Sequence, residues 1–332
     1  RDRLKIICIF IIAIFLFPTI CIASESIYTW SNNAKPLTET IPTNATTSLS
    51  LNVGSAVLIE QNSGQVLYNQ NMHEKLRPAS VTKVMTILLI MEAIDSGKLS
   101  YTDKIPCSEK AAGMGGSQIW LDVREELTVD EMLKAICVVS ANDCTVAMAE
   151  YLAGSEEAFV NQMNAKAKEL GMNDTTFKNC HGIDEDGHVT SAYDIALMSR
   201  DLLTKHPSIT KYTTIYMDSL RDGKSSLVNT NKLVRNYKGA TGLKTGSTSV
   251  ALYNLSASAT RNDLSLIAVI MKAPTSPIRF AESQKLLDYG FNNFEYKKLA
   301  NKNDLIKEIS FDKELENSVN AILENDSGVL IQ

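Results

Sequence analysis

Three short strings stand in order along the 332-residue chain: Ser80-Val81-Thr82-Lys83, Ser140-Ala141-Asn142 and Lys244-Thr245-Gly246. Their side chains supply a nucleophile, a base, a proton relay and an anchor for a carboxylate. That set performs serine acyl transfer on peptides that end in a free carboxylate. No string carries this reading alone. Ser208-Ile209-Thr210-Lys211 and Ser310-Phe311-Asp312-Lys313 repeat the first pattern, and Ser31-Asn32-Asn33 and Ser318-Val319-Asn320 repeat the second. Only Lys-Thr-Gly occurs once, so order, spacing and structural setting decide.

Pro78-Ala79-Ser80 places Ser80 at a helix start, where free backbone N–H groups favour developing negative charge. Lys83 lies one turn later on the same face, within reach of the Ser80 hydroxyl. A lysine is a base only when neutral, and burial, the positive helix end and a second cation at Lys244 all lower its pKa. The apolar run Val84 to Ile90 makes this helix a buried one. Ser140 falls in a turn between two helices, where its hydroxyl relays a proton between the nucleophile region and a leaving amine. Asn142 offers donor and acceptor to a substrate amide, or it caps the next helix, as Asp143 also could. On an edge strand, Lys244 and Thr245 hold a carboxylate, and Gly246 lets a substrate backbone approach closely. The Ser247 N–H pairs with that of Ser80 as an oxyanion hole.

The elements that must position these groups are legible in outline. Ser55 to Glu60 and Gln65 to Gln70 form a hairpin around Asn62-Ser63-Gly64, and a helix runs from Ser80 to Asp95, stopped by Ser96-Gly97. Thr128-Val129-Asp130-Glu131 is a capping box opening a helix toward Val139. Helices follow over Asn142–Leu152, Glu156–Leu170 and Asp194–Leu203. Strands return at Ala251–Ala259 and Leu264–Met271, before a closing helix over Ala281–Tyr289. Strands first and last with helices between give an α+β fold: an antiparallel sheet built from both ends, flanked by helices, with a helical subdomain.

Residues 1–23 read as a signal peptide, with Arg1, Arg3 and Lys5 ahead of the apolar run Ile6–Phe17 and cleavage after Ala23. Residues 24–50, rich in Ser, Thr and Asn, read as a flexible spacer. Residues 51–291 form the catalytic block. Residues 292–332 read as the beginning of a truncated β-rich C-terminal domain, and the opening on Arg1 as a trimmed start. Four of the six cysteines remain after cleavage: Cys107, Cys137, Cys144 and Cys180. Cys137 and Cys144 flank the Ser140 string and read as soft packing residues. No Cys/His spacing suits a metal, and no cofactor is expected. A formal charge of −5 without a basic, aromatic-rich stripe argues against nucleic acid.

Taken with their flanks, the strings carry a resemblance. Arg77-Pro78-Ala79-Ser80-Val81-Thr82-Lys83, Ser140-Ala141-Asn142-Asp143, Leu170-Gly171-Met172, Gly187-His188 and Asp288-Tyr289-Gly290-Phe291 resemble the exported D-alanyl-D-alanine carboxypeptidases, the low-molecular-mass penicillin-binding proteins. The resemblance implies a β-lactamase/transpeptidase-like fold, action on peptidoglycan stem peptides ending in D-Ala-D-Ala, and inhibition by β-lactam antibiotics. It implies that Ser80 forms the acyl-enzyme, Lys83 is its base and Ser140 passes the proton. Asn142 then orients the peptide, and Lys244 and Thr245 bind the terminal carboxylate together with Arg279, which matches the family's arginine. Leu252 departs from the pattern, where the family usually has glycine. An exported, extracytoplasmic location follows, with membrane contact expected through an anchor beyond Gln332.

Other readings have their own residues. Glu157-Ala158-Phe159-Val160-Asn161 fits a β-lactamase string, but it follows Ser140 closely and reads as an amphipathic helix. A non-catalytic penicillin sensor is disfavoured by the intact set, and a DD-endopeptidase would use the same residues. His188, in a Gly-rich loop beside Asp184, Glu185 and Asp186, reads as structural.

Overall fold

The computed structural model describes residues 49–312, 317–323 and 327–332; the signal segment and nearly all of the spacer lie outside the described residues. The chain opens with β1 (Ser55–Glu60) and β2 (Val66–Gln70), a 3-10 turn (Ala79–Thr82) and α1 (Lys83–Asp95). The helical middle runs through β3 (Lys104–Pro106), α2 (Glu109–Ala112), β4 (Glu126–Thr128), α3 (Val129–Val139), α4 (Asn142–Ala153), α5 (Glu156–Glu169), α6 (Ala192–Lys205) and α7 (Thr210–Thr213). Then come β5 (Met217–Leu220), β6 (Ser225–Val228), α8 (Leu233–Asn236), β7 (Ala240–Thr248), β8 (Leu252–Arg261), β9 (Leu264–Ala273) and α9 (Ser276–Asn293). The short strands β10 (Glu295–Ala300), β11 (Leu305–Asp312), β12 (Asn317–Ile322) and β13 (Ser327–Ile331) end the chain as two antiparallel pairs, β10 with β13 and β11 with β12.

The central sheet is antiparallel in the order β2-β1-β9-β8-β7, so the first and last strands of the catalytic block meet at β1 and β9. Alternation then sorts side chains to two cores. Ala56 and Leu58 of β1 and Leu266, Ala268 and Ile270 of β9 join Phe280, Leu286 and Leu287 of α9. Val57, Ile59, Ile267, Val269 and Met271 face the larger core, with α1, α3 and α6. Strand β8 is different. Leu255, Ala257 and Ala259 face α9, while Asn254, Ser256 and Ser258 alternate with them and are just as buried. The two serines are satisfied in place, Ser256 with Ser199 of α6 and Ser258 with Thr241, each at 2.8 Å.

Caps set the helix boundaries that matter. Both halves of the Thr128/Glu131 capping box are present, and Ser155, Ser191 and Thr275 accept from N–H groups in the first turns of α5, α6 and α9. Helix α9 starts five residues before the sequence-based expectation, because Thr275 caps it and Pro277 fits its first turn. Helix α3 ends at Ser140 in the left-handed conformation (φ 65°), and α4 begins at Asn142. That abrupt turn holds both residues of the second string. Among the described residues no helix is long and apolar enough to cross a membrane.

Candidate active site

Ser80 lies in the 3-10 turn ahead of α1, not in the α-helix itself. The preceding Ala79 has φ +49°, so the turn is strained at the residue before the hydroxyl. Edge strand β7 presses on this turn. A Cβ on Gly246 would stand 2.8 Å from both the Ser80 and Val81 nitrogens. The glycine of the third string is therefore needed to dock the strand against the nucleophile, a closer constraint than the substrate approach expected from the sequence. A Cβ on Gly182 (φ +95°) would collide with the Ala79 carbonyl.

Lys83 is fully buried, and its Nζ lies 3.0 Å from Ser80 Oγ, 2.6 Å from Asn142 Oδ1 and 2.7 Å from the His181 carbonyl. Burial, and then the nearby Lys244 cation, push its pKa well below the ordinary lysine value, so the amine is poised to lose its proton. Asn142 spends its groups inside the protein: Oδ1 on Lys83, and Nδ2 donating to the Gly115 carbonyl at 2.7 Å. Ser140 Oγ is the contrast. It is buried and makes no hydrogen bond among the described residues, a hydroxyl held ready for a partner.

Lys244 is buried in β7 with its Nζ on the Thr245 carbonyl at 2.9 Å, and burial lowers its pKa to about 7. Thr245 Oγ1 shares a 2.6 Å hydrogen bond with Thr230 Oγ1. Arg279, on α9, donates to the carbonyls of Gly246 (3.3 Å) and Asn254 (3.2 Å), and its Nε has no hydrogen-bond partner among the described residues. Ser247 is exposed at the following position of β7. Among the described residues, none of Lys83, Lys244 and Arg279 has a carboxylate within ion-pair distance. Burial disfavours the charged form of Lys83, so Lys244 and Arg279 are the buried cations without counter-charge, costly to hold and an electrostatic socket for an anion.

Comparison with known proteins decides the family. The family model described as D-alanyl-D-alanine carboxypeptidase matches residues 42–275. The chain belongs to this family of serine peptidases. It is similar to the D-alanyl-D-alanine carboxypeptidase DacF of Bacillus subtilis, 51% identical over 271 residues that cover 81% of this chain and 69% of that protein. Among solved structures it resembles penicillin-binding protein 5 of Haemophilus influenzae (33% identity, TM-score 0.76, 86% of this chain and 84% of that one). It also resembles penicillin-binding protein D2 of Listeria monocytogenes, solved with ampicillin bound (30% identity, TM-score 0.68, 74% of this chain and 100% of that one). The chain spans 61% to 69% of the length of the first curated relatives it matches.

Within this carboxypeptidase family the departure at Leu252 gains a physical meaning. Leu252 follows the 248–252 turn with φ +56°, a conformation that glycine adopts freely and a leucine only with strain. His188 is structural: Nδ1 accepts from the Lys178 N–H and Nε2 meets Thr82 Oγ1 at 2.8 Å, tying the 176–189 loop to the turn before Lys83. Glu157 is exposed on α5, while Phe159, Val160 and Met163 face the core. The four described cysteines are free and buried, and burial pushes the Cys137 thiol up to about 12, which keeps it protonated. Among the described residues no group of three or more His, Cys, Asp and Glu side chains could hold a metal.

The sequence-based reading overlooked the backbone and supporting partners. The His181 carbonyl on Lys83 and the Gly115 and Ser117 carbonyls on Asn142 carry no side-chain signal. Asp143 is more than a helix-cap candidate. Its buried carboxylate accepts from the N–H groups of Ile119, Leu121 and Cys144 at 2.9 to 3.1 Å, pinning the 115–121 loop beside Asn142.

Proposed function

We propose that this protein removes the terminal D-alanine from wall peptides that end in D-Ala-D-Ala, through an acyl-enzyme on Ser80. The observation that carries the reading is the 3.0 Å contact between Ser80 Oγ and the Nζ of a lysine whose protonated form is disfavoured by burial. Neutral Lys83 takes the hydroxyl proton as Oγ attacks the carbonyl carbon of the penultimate residue. The tetrahedral oxyanion is received by the N–H groups of Ser80 and Ser247, a pairing supported by the packing of Gly246, the residue before Ser247, against Ser80. Protonated Lys83 passes its proton to Ser140 as Ser140 hands its own to the departing amine, the C–N bond breaks, D-alanine leaves, and Lys83 is neutral again. Water then adds to the ester with Lys83 again as base, the C–Oγ bond breaks, and Ser80 is restored.

Recognition rests on the cationic socket. Lys244, Thr245 and Arg279 hold the terminal carboxylate, whose negative charge supplies the counter-ion these cations lack. Asn142 orients Lys83 through Oδ1 and the peptide through the second Nδ2 hydrogen, which the Gly115 carbonyl does not take. A β-lactam presents a carboxylate and a strained amide in the same relation, so the protein is acylated by penicillins at Ser80. We infer an extracytoplasmic site of action, with residues 1–23 as the export signal, residues 51–291 carrying the reaction and residues 292–332 beginning the β-rich module. The test is free D-alanine released from a synthetic peptide ending in D-Ala-D-Ala, measured for the wild type and Ser80→Ala. Release by the wild type alone is expected; no release, or equal release by both, would falsify the assignment.

A further inference from the structure

Asn254 sits opposite Gly246 in the β7–β8 register and is buried to 1% exposure. Nothing in the reaction above uses it, yet it touches both the approach to the nucleophile and Arg279. Its Nδ2 donates to the carbonyls of both Arg77 (2.8 Å) and Pro78 (3.0 Å), the two residues that lead into the nucleophile turn. Its own backbone carbonyl accepts from Arg279. Its Oδ1 accepts the Lys272 N–H at 2.8 Å.

That last bond explains why the side chain is available. The β8–β9 ladder pairs Tyr253 with Ala273 and then Leu255 with Ile270, so Asn254 faces two residues, Met271 and Lys272, at a β-bulge. Lys272 has φ +57° there. Bulges re-aim side chains beside active sites. Here the amide replaces a ladder bond with Oδ1 and keeps both Nδ2 hydrogens for the approach to Ser80. All its donors and its side-chain acceptor are satisfied, as a buried amide requires.

We infer that Asn254 is a positioning residue that sets the spacing between the nucleophile turn and the carboxylate-holding cations. Its side chain grips the approach to Ser80, while its main chain grips Arg279, so one residue spans the two halves of the site. The inference rests on Ser80 being the acylated residue. Removing the amide frees the Arg77 carbonyl and leaves the Pro78 carbonyl only its long bond from the Val81 N–H, lets the turn shift against Gly246, and misplaces Ser80 Oγ and its N–H relative to a correctly bound carboxylate. Displacements of that kind lower reaction rates by about a hundredfold without weakening initial binding to match.

The experiment follows penicillin acylation by stopped flow across antibiotic concentrations, which separates the pre-acylation dissociation constant from the acylation rate. The variants are Asn254→Ala, the equal-volume Asn254→Asp, Ser258→Ala as a matched loss of a buried β8 hydrogen bond, and Ser80→Ala. Both Asn254 variants are expected to lose about a hundredfold in acylation rate, with a dissociation constant within about threefold of the wild type. Ser258→Ala should lose thermal stability comparably while acylating at the wild-type rate. Wild-type acylation rates in the Asn254 variants, or an equal rate loss in Ser258→Ala, overturn the positioning role alone. A wild-type protein that is not acylated, or a Ser80→Ala variant that is, overturns the Ser80 assignment and this inference with it.

Discussion

Arg221 and Glu125 meet as a two-pronged pair at 2.6 and 2.9 Å, with further Arg221 donors on the Ile119 carbonyl and Ser225 Oγ. Below them Asp143 is enclosed by three N–H groups. Lys244 and Arg279 are also buried but have only neutral hydrogen-bond partners among the described residues. One region satisfies its charges and becomes a rigid wall. The other leaves its cations uncompensated, so the folded protein holds a field that an anionic substrate relieves. The first arrangement contributes stability; the second gives up stability for binding and catalysis.

The sharpest way to break this contrast is Lys83→Met. It removes the base while sparing the cationic anchors, and D-alanine release should fall about a thousandfold to ten-thousandfold. A fall under tenfold would assign the base elsewhere. Lys244→Met should cost about a hundredfold in kcat/KM, yet raise the thermal midpoint by about 2 to 4 °C, because a buried cation has been replaced by a methionine. A lowered midpoint would mean that Lys244 stabilises the fold and that the socket is not strained.

The same lysine makes stability depend on pH. In the unfolded chain Lys244 keeps its proton up to its ordinary value of 10.5, whereas in the folded protein it loses it near 7. Between those values the unfolded state binds more protons, so stability rises with pH across this window. Below about 7 both states are protonated and the penalty is fully present. The midpoint gap between Lys244→Met and the wild type should therefore be widest below pH 7 and shrink toward pH 10.

Activity runs the other way on that side. For the free enzyme, kcat/KM should climb as Lys83 loses its proton and fall above about pH 7, tenfold per pH unit, as Lys244 loses the charge that holds the carboxylate. Lys244→Arg should carry the alkaline limb upward, since a guanidinium does not titrate there. An unmoved limb would assign it to another group.

Two smaller effects probe the satisfied side and the strained turn. Arg221→Met should cost about 2 kcal/mol of stability by urea unfolding while lowering activity less than Lys244→Met. An unchanged unfolding midpoint would remove Arg221 and Glu125 from the rigid wall. Leu252→Gly relieves a left-handed leucine but adds unfolded-state entropy, leaving a gain of about 0.5 kcal/mol. A clear loss would show that the leucine packs well enough to offset its backbone.

The fold was legible where a period or a cap was long enough to register. Strands β1 and β9 announce themselves by runs such as Ala56-Val57-Leu58-Ile59, and α3 by Thr128 and Glu131. The pairs β3–β4 and β5–β6 have three or four residues each, too few to show alternation, and the 3-10 turn at Ser80 was absorbed into the helix that follows it. The ionisable and hydroxyl side chains of the site stand out by type. Its carbonyl partners at His181, Gly115 and Ser117 do not, because every residue carries the same group. Asn254 did leave a trace: Asn254, Ser256 and Ser258 make a polar face on a strand buried on both sides, which only a neighbour rich in hydrogen-bonding groups explains.

The two glycines that close on the nucleophile turn limit how the site can be reshaped. Any side chain at Gly182 or Gly246 displaces the Ser80 backbone, so neither wall can be narrowed without moving the nucleophile itself. The 115–121 loop is a separate matter. It reaches the site through hydrogen bonds to Asn142 and Asp143, and its Trp120 side chain is exposed. Trp120 can therefore be exchanged without pressing on the Ser80 turn, whereas no side chain fits at Gly246 on the strand that carries Lys-Thr-Gly.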